Sequence, residues 1–246
     1  MGKVFLVGAG PGAPDLLTLR AARLLEAADV VFHDALVHPE TLALARRARF
    51  VDVGKRAGRI STEQRFINRA LVEAARSAAI VVRLKGGDPM LFGRAQEEID
   101  ALRDAGIECE VVPGVTAALA AAASLRVSLT RRGVSRNVAF VTARSGPGQP
   151  GADWLATALA ADTVALYMAS GQAAEIAARL IDSGKPAQTP AILVENASLP
   201  DERRLFTTLA ALRATGLPKF SGPVLLAVGE VFRDVEASHE LSVQSA

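Results

Sequence analysis

Three turns rich in glycine and proline carry residues whose chemistry suits ligand binding. They read "VGAGPGAPD" from Val7, "KGGDPMLFGR" from Lys85 and "VPGVTAA" from Val112. Glycine lets a ligand approach the backbone closely, and Asp88 in the second turn can accept hydrogen bonds from an amine or a hydroxyl. Each turn follows an apolar, β-branched run, and open α/β sheets bind ligands beyond the carboxyl ends of their strands. The sequence therefore predicts a ligand site built from these turns.

The first turn also fits the relaxed dinucleotide-binding fingerprint. Three small residues occupy its fixed positions: Gly8, Gly10 and Ala13. Asp34 lies about 20 residues further on, where a ribose-binding acid belongs. Pro11 and Pro14, however, remove backbone N–H groups that a pyrophosphate would need at a helix N-terminus. The pattern favours another ligand, and a nicotinamide-linked oxidoreductase and a merely structural turn remain alternatives.

The elements that must position these turns alternate between strand and helix patterns. Strands are predicted at 4–7, 30–32, 50–53, 80–84, 108–112, 138–142, 163–168, 191–195 and 224–228, with a further short strand in "ERRLFTTLAAL". Helical spacing follows the first turn, where Asp15 is placed to cap the helix. Such alternation predicts an α/β fold with mainly parallel sheets and a mixed second half.

So many strands exceed one open sheet, and the chain is predicted to form two α/β domains. They comprise residues 1–114 and 126–233, with an Ala-rich linker helix at 115–125 and a disordered tail at 234–246. The segment "SGPGQPG" at 145–151 is predicted to be a mobile loop.

Composition narrows the function classes. The chain has 28 Lys and Arg against 26 Asp and Glu, and only 11 aromatic residues (9 Phe, 1 Tyr, 1 Trp). A nearly balanced charge and few stacking side chains disfavour nucleic acid as a partner. No apolar run reaches the ~18 residues that span a bilayer, and the immediate start of a strand leaves no room for a signal peptide. With a single cysteine, Cys109, a disulfide within the chain is impossible, and a cytoplasmic location without a metal site is expected.

Seven short motifs, taken together, resemble the tetrapyrrole methylase family. In chain order they are "VGAGPGAPDLLTLRA", "VFHDALV", "VGKRAG", "RLKGGDPMLFGR", "VPGVTAA", "YMAS" and "PAILVENAS", and the likeness extends over residues 3–232. "HDALV" followed by "VGKRAG" is similar to the branch of the family that methylates uroporphyrinogen III. The resemblance implies two α/β domains with the active site in the cleft between them, and a homodimer. It also implies methylation by S-adenosylmethionine at C2 and C7, which gives precorrin-2 for sirohaem or cobalamin and S-adenosylhomocysteine, without a metal.

Carried over by position, the resemblance assigns site residues. Those implied to bind the cofactor are Pro11, Gly86, Gly87, Asp88, Leu91, Thr116, Ala117, Met168 and Ala197. Asp34 and Lys55 are implied to be the catalytic acid–base residues; alternatively, Asp34 caps a turn and Lys55 binds a substrate carboxylate. Residues expected to pair with the eight carboxylates of the substrate are Arg56, Arg59, Arg131 and Arg132.

The chain departs from the family pattern at two histidines. "LTRRG" at 129–133 replaces "LTHRD", and "VTAR" at 141–144 replaces "VTGH", so Arg131 and Arg144 stand where histidine is usual. Arginine keeps the positive charge but does not titrate near neutrality. Ala169 in "YMAS" similarly replaces a glycine. A methyltransferase acting on a later precorrin and a non-catalytic tetrapyrrole-binding protein therefore remain alternatives.

Overall fold

The computed structural model describes residues 1–54, 64–144, 154–216 and 219–235. The chain divides into two compact units, unit 1 (Met1–Ala117) and unit 2 (Ala118–Ala246). Each contains a five-stranded sheet, so the predicted α/β class is confirmed. The predicted mobile loop 145–151 and residues 236–246 of the predicted tail lie outside the described residues.

Unit 1 is a parallel sheet with helices on both faces. Its strands are β1 (Lys3–Gly8), β2 (Val30–His33), β3 (Arg49–Asp52), β4 (Ile80–Lys85) and β5 (Cys109–Val112). Its helices are α1 (Leu19–Ala27), α2 (Pro39–Leu42), α3 (Gln64–Ser77) and α4 (Ala95–Asp104), with a short 3₁₀ helix at Pro14–Leu16. The strand order is β3-β2-β4-β1-β5, and all the strands are parallel.

Alternate residues of the unit 1 strands pack on opposite faces of the sheet, as the pleat requires. Val4, Leu6, Phe32 and Val81 pack together with buried residues of α3 and α4. The residues next to them in the strands point to the other face and pack with α1: Val7, Val31 and Val82. Because β1 and β4 are neighbours at the centre of this sandwich, the turns that follow them leave the sheet side by side.

Helix α1 begins later than the sequence predicted. Thr18, not Asp15, is its N-cap, and the Thr18 hydroxyl accepts a hydrogen bond from the Ala21 N–H at 3.1 Å. Pro14 and Asp15 instead belong to the 3₁₀ helix, which separates the first glycine turn from α1. The Asp15 prediction was wrong because the proline at the first position of the short helix fixes a separate turn before α1 can start.

Unit 2 contains a mixed sheet. Its strands are β6 (Val138–Thr142), β7 (Thr163–Tyr167), β8 (Pro190–Glu195), β9 (Arg203–Thr208) and β10 (Val224–Gly229). They lie in the order β6-β7-β10-β8-β9, with β6 parallel to β7 and the other neighbours antiparallel. The predicted mixed second half is thus confirmed.

The helices that follow β5 in the chain are α5 (Ala117–Leu125), α6 (Trp154–Ala160), α7 (Ala173–Asp182) and α8 (Leu209–Thr215), and a 3₁₀ helix lies at Glu230–Phe232. The strand expected in "ERRLFTTLAAL" is β9, but the last four residues of this segment form the start of α8. Thr208 ends the strand because its side chain caps the helix, accepting a hydrogen bond from the Ala211 N–H. Among the helices of the described residues, none is both long and apolar enough to cross a membrane.

Candidate functional site

The first two glycine turns of unit 1 are joined by backbone hydrogen bonds. The Gly87 N–H donates to the Gly10 carbonyl at 2.7 Å, and the Gly10 N–H donates to the Gly87 carbonyl at 3.2 Å. Both residues have positive φ angles, +74° for Gly10 and +68° for Gly87, which glycine adopts without steric cost. The structure therefore brings the turns after β1 and β4 together through their backbones.

The third turn packs against the other two just as closely. A Cβ atom on Gly114 would lie 2.3 Å from the Gly87 carbonyl oxygen and 2.9 Å from the Gly8 Cα. A Cβ on Gly8 would lie 2.6 Å from the Gly114 Cα. These separations are too short for any side chain, so the backbone packing of the turns explains why Gly8 and Gly114 are glycine.

Gly86 is different because its backbone is exposed. Among the described atoms, a Cβ on Gly86 would approach only the Leu36 Cβ, at an ordinary 3.5 Å. The described part of the protein therefore leaves room for a side chain here. Its open backbone, at the carboxyl end of β4, is where a ligand could approach the chain.

Asp88 fastens two of the turns. Its Oδ1 accepts a hydrogen bond from the Met90 N–H at 2.8 Å, and its Oδ2 accepts one from the Gly114 N–H at 2.9 Å. An ionised carboxylate offers about four acceptor positions, so Asp88 keeps capacity for a further donor. Its role in holding the loops is visible in the structure, and its role in cofactor binding stays a prediction.

The remaining predicted cofactor residues of unit 1 lie in the same turns. Thr116 is buried, whereas Pro11, Leu91 and Ala117 are half-buried. All four are thus placed at the carboxyl edge of the parallel sheet, and contact with a cofactor stays a prediction for each of them.

Asp34 follows β2 directly and lies beside the end of β4. Its backbone N–H donates to the Leu84 carbonyl at 3.3 Å, and its Oδ1 accepts a hydrogen bond from Arg83 Nη2 at 2.6 Å. The Asp34 side chain is 30% exposed, while that of Arg83 is 3% exposed. The carboxylate therefore reaches the surface of unit 1 with one oxygen held from inside. Lys55, the predicted partner in acid–base chemistry, lies outside the described residues, as do Arg56 and Arg59.

Behind Asp34 lies a buried charge cluster, which we define as Arg83, Lys85 and Glu98. Arg83 Nε donates to Glu98 Oε1 at 3.1 Å, and Lys85 Nζ lies 3.0 Å from both Glu98 oxygens. Gln64 Nε2 also donates to Glu98 Oε1 at 3.1 Å. Burial lowers the pKa of Lys85, and the nearby Arg83 charge lowers it further, while Glu98 and Asp34 act in the opposite direction.

Sequence reasoning missed this charge cluster, although the sequence carries a signal for it. Arg83 and Lys85 interrupt an otherwise apolar strand, and Glu98 shares the buried face of α4 with Ala95 and Leu102. Charged side chains are almost never fully buried unless they are paired. Three of them at buried positions of neighbouring elements therefore indicate an internal ion-pair network.

In unit 2 the predicted cofactor residues follow two strands. Met168 comes after β7, has a φ of +57° and is 41% exposed. Ala197 comes after β8 and is buried between Asn196 and Ser198, whose φ angles are +52° and +74°. Left-handed residues other than glycine are uncommon and concentrate at ligand-binding and active sites. This conformation is a further mark of these loops that the sequence did not reveal.

The loop that contains Ala197 is held by Glu195, a buried carboxylate at the end of β8. Glu195 Oε1 accepts hydrogen bonds from the Ser221 and Gly222 N–H groups, both at 2.6 Å, and its Oε2 pairs with Arg203 at 2.5 Å. Desolvation by burial alone would raise the pKa of Glu195. The hydrogen bonds from Gly222, Arg203 and Ser221 outweigh it and lower the pKa below 4.5.

The two predicted substrate-binding arginines of unit 2 lie on one exposed turn. The backbones of Arg131 and Ser135 exchange hydrogen bonds at 2.9 and 2.8 Å, and Arg131 Nη1 lies 3.3 Å from Asp234 Oδ2. Arg132 is exposed at the tip, and Arg144 is exposed after β6. Substrate binding by Arg131 and Arg132 stays a prediction.

The described residues contain no group of three or more His, Cys, Asp and Glu side chains that could hold a metal ion. Burial raises the pKa of Cys109, the single cysteine, to about 11. Its thiol is therefore protonated near neutral pH and is a poor nucleophile or metal ligand.

Comparison with known proteins adds the family. The model for Tetrapyrrole (Corrin/Porphyrin) Methylases matches residues 3–213 of the chain. The chain belongs to the tetrapyrrole methylase family. Membership agrees with the resemblance carried by the seven sequence motifs.

Within the tetrapyrrole methylases, individual relatives are similar over nearly the whole chain. Uroporphyrinogen-III C-methyltransferase of Pseudomonas aeruginosa is 47% identical over 95% of this chain and 96% of its own length. Uroporphyrin-III C-methyl transferase of Thermus thermophilus, solved in complex with S-adenyl homocysteine, superposes with a TM-score of 0.83. It is 42% identical over 94% of this chain and 99% of its own. A cobalt precorrin-4 methyltransferase of known structure has a TM-score of 0.79 and 30% identity over 93% and 95% of the two chains.

Proposed function

We propose that this protein transfers methyl groups from S-adenosylmethionine to carbon atoms of uroporphyrinogen III, giving precorrin-2. The observation that carries the proposal is the similarity, over 95% of the chain and at 47% identity, to a relative that acts on this substrate. Identity to the methyltransferase of a later precorrin is lower, at 30%. This difference favours uroporphyrinogen III over a later intermediate.

The geometry disfavours the nicotinamide alternative. In a dinucleotide-binding fold the glycine turn opens directly into a helix whose N-terminus holds the pyrophosphate. Here α1 starts at Leu19, after a separate 3₁₀ helix. The N–H groups of the first turn are instead engaged with the turn after β4, as in the Gly10–Gly87 pair.

The chemistry of the unit 1 turns fits S-adenosylmethionine. This co-substrate supplies an electrophilic methyl carbon on a sulfonium sulfur, together with an ammonium group and ribose hydroxyls. The open backbone at Gly86 can exchange hydrogen bonds with such groups, and Asp88 can accept a further hydrogen bond from an ammonium or a hydroxyl. We assign the same role to the other predicted cofactor residues: Pro11, Gly87, Leu91, Thr116 and Ala117 in unit 1, and Met168 and Ala197 in unit 2.

Asp34 is the proposed catalytic base. Arg83 holds its Oδ1, which leaves Oδ2 outside this ion pair at a half-exposed position. A carboxylate so placed can take a proton from the macrocycle as a carbon–methyl bond forms, and a positioned acid or base typically contributes about 10²–10⁴-fold in rate. Lys55 is the proposed proton donor.

Arginine side chains are proposed to bind the substrate carboxylates through charge-assisted hydrogen bonds. Arg132 is exposed on its turn and can accept such a partner. Arg131 would exchange its exposed contact with Asp234, since an ion pair in water is worth little. Arg56 and Arg59 complete the proposed set.

We further propose that the protein is a cytoplasmic homodimer with neither nucleic acid nor membrane as a partner. An apolar groove in unit 2 supports the dimer, since Leu119 and Phe140 line it while remaining 51% and 37% exposed. Light scattering on the purified protein tests the subunit number, and cell fractionation tests the location.

The function is tested by anaerobic incubation with S-adenosylmethionine and uroporphyrinogen III, with the product followed by mass spectrometry. The expected product carries two added methyl groups, with one S-adenosylhomocysteine released for each. Asp34→Asn should reduce the rate about 10²–10⁴-fold, while Asp104→Asn, on the exposed end of α4, serves as the control of equal chemistry.

The other outcomes separate the alternatives. Binding of S-adenosylmethionine without methylation of uroporphyrinogen III would reject this substrate, and later precorrins would be assayed next. Tetrapyrrole binding with no transfer to any of them would indicate a non-catalytic binding protein. Binding of NADH in place of S-adenosylmethionine would return the function to the oxidoreductase class.

A further inference from the structure

The side chain that touches Asp34 from inside unit 1 is fixed at all three of its nitrogen atoms. Arg83 Nη2 donates to Asp34 Oδ1 at 2.6 Å, Nε donates to Glu98 Oε1 at 3.1 Å, and Nη1 donates to the Leu84 carbonyl at 3.1 Å. A planar guanidinium with three separate partners cannot rotate without breaking at least one hydrogen bond. Arg83 is therefore a rigid donor for the Asp34 carboxylate.

Glu98 supplies the fixed end of this arrangement. It is fully buried on α4, and it accepts hydrogen bonds from Arg83, Lys85 and Gln64. Four charges thus alternate from the surface inward as Asp34, Arg83, Glu98 and Lys85, and they sum to zero. Alternation satisfies each buried charge with a neighbour of opposite sign, which is the condition for tolerating ions inside a protein.

Position along the strand explains why these groups meet. Arg83 and Lys85 are alternate residues of β4 and so share one face of the sheet, the face covered by α3 and α4. Phe32 of β2 lies opposite Arg83 in the parallel ladder, which places Asp34 just beyond it. The backbone register therefore fixes the distance between the strand-end carboxylate and the buried cation.

We propose that Arg83, anchored by Glu98, is a positioning residue that holds the Asp34 carboxylate in the single orientation in which Oδ2 faces the substrate. The inference rests on the proposed function, since it assigns Asp34 as the base. Arg83 itself contacts neither substrate nor cofactor in this scheme and acts through Asp34. Lys85 and Gln64 hold Glu98 and contribute indirectly.

The test compares turnover of the full-length protein with that of Arg83→Lys and Arg83→Met. Lysine keeps the charge but has one donor group, which cannot reach three partners at once. Because a misplacement of a catalytic group by about 1 Å can cost about 10²-fold, we expect kcat to fall by up to about 100-fold in Arg83→Met. Arg83→Lys should lie between it and the natural protein, with the KM for S-adenosylmethionine unchanged in both.

A double-mutant cycle separates positioning from general damage to the fold. If Arg83 acts through Asp34, Arg83→Lys should lower kcat in the natural protein and have no further effect when Asp34→Asn is present. An equal loss in both backgrounds would overturn the proposal. Leu102→Ala removes buried contacts of α4 without touching a charged group, and a comparable fall of kcat in this variant would overturn it as well.

A readout independent of activity distinguishes failure of this inference from failure of the proposed function. Three-bond NMR couplings to the Asp34 carboxyl carbon report its side-chain rotamer. A single rotamer in the natural protein that becomes averaged in Arg83→Lys and in Glu98→Gln supports the positioning role even if uroporphyrinogen III is not methylated. Averaged couplings already present in the natural protein, or couplings unchanged in both variants, would overturn it.

Discussion

In unit 1 the turns after β1, β4 and β5 are fastened to one another, whereas in unit 2 the loops after β7 and β8 are held by contacts of their own. The unit 1 turns share backbone hydrogen bonds between Gly10 and Gly87, and Asp88 ties them to Gly114. The loop after β8 depends on Glu195 and on left-handed residues instead. In unit 1 adjacent parallel strands deliver their turns side by side. In unit 2, β10 lies between β7 and β8 and runs antiparallel to both, so the loops after β7 and β8 leave the same edge of the sheet one strand apart.

Among the described residues, each unit also has one glutamate that is buried almost completely, and the two glutamates have different partners. Glu98 of unit 1 is bound by side chains that lead to Asp34, whereas Glu195 of unit 2 is bound by two backbone N–H groups and by the half-exposed Arg203. The same residue type therefore supports the proposed catalytic side chain in one unit and the shape of a loop in the other. This difference suggests that substitutions at the two sites have distinguishable consequences.

The largest effect is expected for Glu98→Gln. It leaves Arg83 and Lys85 buried with a neutral partner, and breaking a buried ion pair by removing one member costs about 3–5 kcal/mol of unfolding free energy. Urea unfolding measures this loss. Glu108→Gln, an exposed position in the same unit, should change stability by less than about 0.5 kcal/mol, and equal losses would show that the charge cluster contributes no more than a surface pair.

A smaller loss is expected when the interlocked turns are forced apart. Gly114→Ala places a methyl group 2.3 Å from the Gly87 carbonyl oxygen, and relief of such overlap typically costs about 1–3 kcal/mol. Gly86→Ala is the matched control, because its methyl group would make only an ordinary contact, 3.5 Å from the Leu36 Cβ. It should leave the urea midpoint unchanged while weakening S-adenosylmethionine binding measured by calorimetry. The opposite assignment of the two effects would contradict our account of these glycines.

Glu195→Gln tests the hydrogen bonds by which Glu195 holds the loop after β8. The single oxygen of an amide can keep both backbone hydrogen bonds, but its NH₂ group cannot accept from Arg203 and the negative charge is lost. Leaving a buried polar group without its partner costs about 1–3 kcal/mol. Because the loop beyond it contains Ala197, we expect a raised KM for S-adenosylmethionine with little change in kcat. A fall in kcat at saturating co-substrate would instead show that Glu195 supports the chemical step, the role proposed for Glu98 through Arg83 and Asp34.

The smallest expected effect is the loss of the stabilisation by Glu195 at acidic pH. Since the pKa of Glu195 in the folded protein lies below its ordinary value of 4.5, the ionised group stabilises the fold above that pH. This contribution is lost as the pH falls through the lowered pKa. The difference in unfolding free energy between the natural protein and Glu195→Gln should therefore narrow between pH 6 and pH 3, and a constant difference would contradict the lowered pKa.

The sequence predicted most of the strands, because period and composition are local properties. It also predicted that three turns come together, because parallel strands share an edge, and that they form a ligand site stays a prediction. It failed where the outcome depended on competing local interactions, as with Thr18 replacing Asp15 as the cap of α1. Asp34 and Arg83 became partners through the register of β2 against β4, which no local pattern encodes. For the same reason, only the packed structure shows why positions 8 and 114 must be glycine.

The interlocked turns also bear on how unit 1 acquires its structure. Gly8 and Gly114 touch although they stand near opposite ends of the unit 1 chain, so their contact requires β1, β4 and β5 to be aligned first. Contacts between distant residues form slowly, because the entropy of closing the intervening chain must be overcome before they contribute. The edge of the sheet at which these turns meet is thus expected to be completed late in folding, and a co-substrate that binds there would stabilise the folded unit over the unfolded chain.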